Sequence, residues 1–393
     1  IPDHVGKFLA ASSDGSKLLL NDGSLFNLED ESSIDLTKGS GGFQGISGQS
    51  KDLSSIYFVD TKVLDETPNG QGATAEAGKD NLYMWREGES RFIAVLLPQD
   101  SPEGQGRGVW AAYPGWRTAE ASPDGRWLAF RSQAQLTGYD NVGPCRYKAA
   151  TVDGEGKNIP AHYESGACAE VFLYDSQSHA LRCASCNPSG QRPIGPSRLR
   201  LIEGSPRNLP QPRYLTDSGR LYFDSQDSLS PFDTNGVGVR TGYAIEDVYQ
   251  YEPEGVGGCK RAEGCINLIS AGHEPVDSNL LTIDETGKNV FFTTRDKLVL
   301  KDKDGLIDLY DAREGGGIPA ESEVARTECQ GEACQAPVSA PNDPTPGSST
   351  FQGAGNVTEP KTAKKHAKKH KKKHAKKKHA HKRGAKHNRG GAK

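Results

Sequence analysis

No apolar stretch in this 393-residue chain is longer than the six residues from Phe92 to Leu97, whereas a membrane-crossing helix needs about 20. The sequence therefore predicts no helical span. An apolar signal segment is also missing near the start, and the chain opens on Ile1-Pro2 rather than methionine. We expect a processed or truncated chain whose leader has been removed. Long runs with helical apolar spacing are absent, which argues against an α/β enzyme core. The G-x-S-x-G, H-E-x-x-H and P-loop signatures are absent too. Four histidines (His4, His162, His179, His273) lie outside the C-terminal tail, and they fall in unrelated segments.

Acidic residues stop before residue 361. Residues 361–393 hold 14 Lys and 2 Arg, with no Asp or Glu and no Leu, Ile, Val, Phe, Tyr or Trp. The formal net charge of −3 thus averages a tail of +16 and a body of −19. So charged and apolar-poor a segment cannot offset its ordering entropy, which predicts a disordered interaction tail. Lys364, Lys365, Lys368, Lys369, Lys371, Lys372, Lys373, Lys376, Lys377, Lys378, Lys382 and Arg383 are the expected polyanion contacts. They would act by counterion release, which weakens as salt rises. No aromatic residue interleaves with them, so nucleic acid would be bound only non-specifically. His366, His370 and His374 recur every fourth residue and would align in a transient helix as ligands for a transition metal. The neighbouring lysines oppose that by repelling the cation. Residues 335–360, rich in Pro, Gly, Ser and Ala, read as a linker, which leaves 1–334 as the folded domain.

The body is built on a repeat. Ser122-Pro123-Asp124-Gly125-Arg126-Trp127-Leu128-Ala129-Phe130 has relatives at Ser12 to Leu20, Ser50 to Phe58, Thr216 to Phe223 and Asp284 to Phe292. Each is a polar turn followed by a short strand alternating with period two. Asp can hydrogen-bond its own backbone and Gly accepts positive φ, as a tight strand connection requires. The last four copies share a second recurrence, a Leu, then Asp, then an acid or amide shortly before an aromatic residue. Examples are Leu64-Asp65 with Asp80-Asn81-Leu82-Tyr83, and Leu229 and Asp233 with Asp247-Val248-Tyr249. Turn, strand, insertion, strand, hairpin and strand make one four-stranded antiparallel blade, and five such units are countable. The expected fold is all-β, a β-propeller whose radial stacking leaves only short edges; a β-sandwich is the competing arrangement.

The motif Ser122 to Phe130, with the strand Val171-Phe172-Leu173-Tyr174-Asp175, resembles the TolB-like, WD40-like propeller repeat. The stretches Leu181 to Gly190, Asp308 to Arg313 and Cys329 to Pro337 resemble exported propeller proteins of soil actinobacteria. The resemblance implies a propeller over roughly residues 5–345 and supplies no catalytic residues. The repeat count falls short of the larger rings it implies. Blades upstream of Ile1, or a ring of five, would account for that.

The eight cysteines fall into close pairs, Cys145 with Cys168, Cys183 with Cys186, Cys259 with Cys265 and Cys329 with Cys334. Even, local pairing predicts disulfides and an oxidising, extracellular or cell-surface location. Zinc or redox use of the Cys183-x-x-Cys186 pair is the rival reading, without a histidine nearby or a βαβ context to support it.

Long insertions at 98–116, 140–170, 188–212 and 232–245 should emerge on one face, where binding residues concentrate. Trp110, Tyr113, Trp116 and Arg117 are the ligand-face candidates, suited to sugars or peptides; the alternative is that the tryptophans pack beneath their loop. Asp302, Asp304 and Asp308 offer hard oxygen ligands at spacings that suit calcium, against which stands simple turn capping. The function expected is a binding or scaffold propeller for a protein, peptide or glycan, tethered by its tail to an anionic cell-wall polymer. A secreted carbohydrate enzyme, glycosidase or lyase, is the alternative.

Overall fold

The computed structural model describes residues 8–101, 110, 118–153, 157–199, 212–236 and 243–319. The chain divides into two compact units, Ile1–Thr327 and Glu328–Lys393. The second lies wholly outside the described residues, and with it the Cys329/Cys334 pair, the linker, the tail lysines, His366, His370 and His374. Among the described residues no helix is long and apolar enough to cross a membrane.

The fold is all-β. Blade 1 is β1 (Phe8–Ala11), β2 (Lys17–Leu20), β3 (Ser24–Asn27) and β4 (Ser33–Asp35). Blade 2 is β5 (Phe43–Gln49), β6 (Ser55–Asp60), β7 (Asp80–Arg86) and β8 (Glu89–Leu96). Blade 3 opens with β9 (Ala119–Ala121) and β10 (Trp127–Ser132). An inserted ribbon follows, β11 (Val142–Lys148), β12 (Thr151–Val152), β13 (Asn158–Ile159) and β14 (His162–Ala167). The blade then resumes with β15 (Glu170–Asp175) and β16 (Ala180–Cys183). Blade 4 is β17 (Ser197–Arg198), β18 (Leu221–Ser225), β19 (Asp247–Glu252) and β20 (Cys265–Leu268); blade 5 is β21 (Ser278–Ile283), β22 (Asn289–Thr294) and β23 (Asp308–Arg313). Every pairing within a blade is antiparallel between neighbours in sequence order, apart from the ribbon inserted into blade 3. Blade 4 departs in one respect. Its innermost strand is split, since Ser197 pairs with Ser225 while Leu215 bridges to Leu221.

The recurring turn joins the first strand of each blade to the second. In blade 3 the Ser122 hydroxyl donates to Asp124 Oδ1 at 2.5 Å and accepts the Trp127 N–H at 2.9 Å, and Asp124 Oδ1 takes the Arg126 N–H at 3.0 Å. The same bonds close the turns at Ser12/Asp14 and Ser50/Asp52. The fourth residue of the turn has φ of +75° at Gly15 and +72° at Gly125; Leu53 takes the position in blade 2 with φ +54°. These turns also link the blades. Ser13 N–H donates to Lys51 O, Lys51 N–H to Pro123 O, and Asp124 N–H to Asp217 Oδ1. Tyr57, fully buried in β6, sends its hydroxyl to Gly125 O at 2.9 Å, and Tyr222, its counterpart in β18, bonds Gly287 O of blade 5.

Four apolar clusters form the core, one at each interface between consecutive blades. They centre on Phe58 (blades 1 and 2), Leu128 (2 and 3), Phe223 (3 and 4) and Phe292 (4 and 5). Among the described residues no such cluster joins blade 5 to blade 1. The period-two pattern expected of the second strands accordingly appears only in β22, where buried and half-buried positions alternate. In β6 and β18 every residue is buried, because an inner blade is covered on both faces.

Candidate binding face

Since strands alternate in direction, the turns joining first to second and third to fourth strands lie at one end of each blade. The loops joining second to third strands, and blade to blade, lie at the other. All four long insertions belong to this loop end or interrupt a strand beside it. At their roots the sequence places acids, and the structure buries them.

The Leu–Asp–Tyr recurrence is a latch on these loops. In blade 2 the Tyr83 hydroxyl accepts the Leu64 N–H at 3.1 Å and donates to Lys62 O at 2.8 Å. In blade 4 the Tyr249 hydroxyl accepts the Leu229 N–H at 3.3 Å and donates to Asp233. In blade 5 the Tyr310 hydroxyl donates to Asp302 Oδ2 at 2.5 Å. Blade 3 has Phe172 at this position, and its loop is pinned instead by Asp100. That carboxylate, 1% exposed, accepts from the Ser132 hydroxyl and from the Leu97 and Gln133 N–H groups.

The acid opening the third strand is also fixed by a device that recurs. Ser185 donates to Glu170 and accepts the Val171 N–H, and Ser270 donates to Asp247 and accepts the Val248 N–H. Burial raises both carboxyls, Glu170 to about 8 and Asp247 to about 6.

One cluster belongs to no repeat. Asp224 replaces the Val59, Arg131 and Thr293 of the corresponding strand positions and is 1% exposed between blades 4 and 5. Its Oδ1 accepts the Leu280 N–H at 2.9 Å, and its Oδ2 has no hydrogen-bond partner. Burial and the neighbouring Glu246 push it well above the usual carboxylate range. Glu246 is itself raised to about 7 by burial, despite its ion pair with Arg198, whose Nη2 donates to Glu246 Oε2. Arg198 acts on both Asp224 and Glu246 to hold them down, while Asp247 adds to the rise of both and Asp277 to that of Glu246.

The insertion 140–170 is the largest described feature of the loop face. Its strands β11 and β14 pair from Val142/Ala167 to Lys148/His162, a ribbon whose longer strand of seven residues runs about 23 Å at the usual rise. An isolated two-stranded ribbon is marginal in water. This one is fastened at its root by the Cys145–Cys168 disulfide and by Asn141, whose amide donates to Gln133 O and Cys168 O. Along it stand Tyr147, 56% exposed, and Tyr163, 38% exposed. Their ring centroids are 5.4 Å apart, and Tyr163 meets Tyr243, from the loop of blade 4, edge-on at 5.0 Å.

Of the residues anticipated from sequence, Trp110 is 4% exposed in the cluster between blades 2 and 3. Tyr113, Trp116 and Arg117 lie outside the described residues. Asp302, Asp304 and Asp308 do converge, one oxygen of each lying within 4.8 Å of the others. Two of them also serve the loop, since Asp302 takes the Tyr310 hydroxyl and the Asp304 N–H, while Asp304 takes the Leu306 N–H. The Cys145–Cys168, Cys183–Cys186 and Cys259–Cys265 disulfides are formed. Sequence reading missed the Tyr147, Tyr163 and Tyr243 ladder and the Asp224 cluster. A non-repeating acid at a repeat position was the available signal for Asp224. Tyr243 gives none, being remote in sequence from the ribbon. A cleft of about 380 Å³ also opens among the innermost segments of blades 1 to 4, lined by Ser13, Gln49, Lys51, Glu120, Arg213 and Tyr214.

These sheets make the described residues a β-propeller of antiparallel blades. No protein-family model matches it, and no curated protein does. Among solved structures it is similar to TolB from Acinetobacter baumannii, with 11% identity over 77% of this chain and 51% of that one, at a TM-score of 0.29. A putative TolB from Agrobacterium tumefaciens gives 16% identity over 78% and 82%, at 0.29. An oligogalacturonate lyase from Vibrio parahaemolyticus gives 14% over 78% and 63%, at 0.34. The chain therefore spans about half of the first of these and about four-fifths of the second.

Proposed function

We propose that this chain is an exported or cell-surface binding propeller whose loop face holds a protein, peptide or glycan, with the segment 361–393 tethering it to an anionic polymer. The observation that carries this reading is the tyrosine ladder Tyr147–Tyr163–Tyr243 on a disulfide-fastened ribbon. Tyrosine offers a large amphipathic contact area at low conformational cost, which is why binding surfaces are rich in it. Its rings here are pre-ordered against one another, so less freedom is lost on binding. The disulfides fit an oxidising compartment.

The carbohydrate-enzyme alternative would need two carboxyl groups flanking a substrate in an open cleft. The acids at the loop roots are bonded to strand ends, and Glu170, Asp224, Glu246 and Asp247 are at most 3% exposed. That favours binding over hydrolysis. The test is capture from envelope fractions and culture medium by the full chain and by a chain ending at Pro360, each at low and physiological salt. A discrete partner retained by the shorter chain, and lost from a Tyr147→Ser/Tyr163→Ser variant of it, supports the ribbon as the binding surface. Retention by the full chain alone, released by salt, would leave only the tether.

A further inference from the structure

The Cys183–Cys186 disulfide closes the end of β16 and lines a cleft of about 350 Å³ between the outer strands of blades 3 and 4. Both of its cysteines are half-buried, whereas each of the other described disulfides has one buried member, Cys168 at 0% and Cys259 at 4% exposure. Behind it lies Glu170, 1% exposed, with one carboxylate oxygen and both sulfurs all within 4.8 Å of one another. Glu170 Oε2 accepts from Ser185, and Oε1 has no hydrogen-bond partner. Arg182, Arg261 and Glu263 also line the cleft, Arg182 lying 4.0 Å from the Glu263 carboxylate.

We propose that Cys183 and Cys186 form a dithiol–disulfide exchange site whose substrate is a cysteine pair of another polypeptide, with Glu170 carrying the proton for the sulfur it faces. A reactive disulfide needs access, a cationic neighbourhood for the departing thiolate, and a proton carrier. The cleft, its two arginines set against the single Glu263, and Glu170 supply these. A substrate thiolate attacks one sulfur and the Cys183–Cys186 bond breaks, its electron pair leaving on the other sulfur, which takes the Glu170 proton. The second substrate thiolate then attacks the mixed disulfide and releases the remaining cysteine. The substrate dithiol becomes a disulfide, losing two electrons that the Cys183/Cys186 pair gains; the two thiol protons reach the pair through Glu170 and water. The oxidant is the disulfide itself, one turnover per oxidised chain. The carboxyl suits the task because burial holds it protonated up to about pH 8, with Asp227 adding to the rise. The groups facing it are Ser185 and the disulfide from its own blade, Tyr139 from the adjoining loop and Asp227 from blade 4.

The experiment equilibrates the full chain in glutathione buffers of graded ratio, alkylates the thiols and reads each cysteine pair by mass. Cys183/Cys186 should open at a reduced-to-oxidised ratio about 100-fold lower than Cys145/Cys168 and Cys259/Cys265, a difference of about 60 mV for a two-electron couple. Opening together with, or after, the other pairs would overturn the proposal without recourse to any variant. In single-turnover oxidation of a reduced dithiol peptide, the rate should change slope near pH 8. In Glu170→Gln, which keeps an acceptor for Ser185, the rate at pH 7 should fall about 100-fold, the low end for losing a positioned proton donor, and the pH profile should then follow the ionisation of the peptide thiols alone. An unchanged rate and pH profile in that variant would remove Glu170 from the proposal.

Discussion

At the turn end of the blades Asp14, Asp52 and Asp284 are exposed or nearly so and accept hydrogen bonds from hydroxyl, amide and backbone N–H groups, which hold them down at about 2. At the loop end Glu170, Glu246 and Asp247 are buried at strand ends and pushed up to about 8, 7 and 6. The same functional group closes a tight turn at one end and roots a long loop at the other. The difference lies in what each end must build. A tight turn leaves its N–H groups in water with an acceptor beside them, so the charged form is favoured. A loop root must bring the chain back over the sheet, and the acid that bonds it there loses its water.

The largest effect expected is at Arg198. Arg198→Ala removes the cation bonded to buried Glu246, and leaving a buried charge unpaired costs about 3–5 kcal/mol. Urea unfolding should show that loss at pH 8 and a smaller one at pH 5, where Glu246, raised to about 7, is already neutral. Next come the turns. Gly125→Ala and Gly15→Ala both place a side chain at positive φ, at a cost of about 1–2 kcal/mol. Only at Gly125 would the new Cβ also meet Ser50 and Ser55 Cβ, at 2.7 Å; at Gly15 nothing lies within 4 Å. Thermal melts should therefore rank Gly125→Ala well below Gly15→Ala, and equal shifts would contradict the packing of turn on turn.

A pH series separates the two ends in the unmodified chain. The raised acids keep protons that the unfolded chain has released, so stability falls as pH rises from the ordinary 4.5 of a glutamate towards 8. The lowered acids contribute stability above the ordinary 3.8, and it is lost as pH falls towards 2. The urea midpoint should peak between these limits, and Glu170→Gln should flatten only the alkaline side. The smallest effect is expected of Tyr249→Phe, which copies the Phe172 of blade 3 and removes one latch, a loss of about 1 kcal/mol. Hydrogen exchange should quicken at Leu229, whose N–H the hydroxyl accepts, and not in the turns.

Much of this was legible before any coordinates. Ser-x-Asp-Gly marks a turn because its hydrogen bonds are local, and the Leu–Asp–Tyr recurrence marked the repeating blade without showing the hydroxyl bonds that it makes. Cys145–Cys168, Cys183–Cys186 and Cys259–Cys265 were readable from close spacing. What escaped depends on contacts between blades. Asp224 is buried at the seam with blade 5, where it accepts the Leu280 N–H, and Tyr243 of the blade 4 loop meets Tyr163 of the blade 3 ribbon. Burial of β6 on both faces is likewise a property of its neighbours, invisible in its own six residues.

The claim that binding belongs to the loop face is tested most directly by hydrogen exchange on the full chain with and without its captured partner. The account predicts slowed exchange across the ribbon, residues 142–167, and the loop around Tyr243, with the turns at 12–17, 50–55 and 122–127 unchanged. Protection centred on those turns, with the ribbon unaffected, would contradict it.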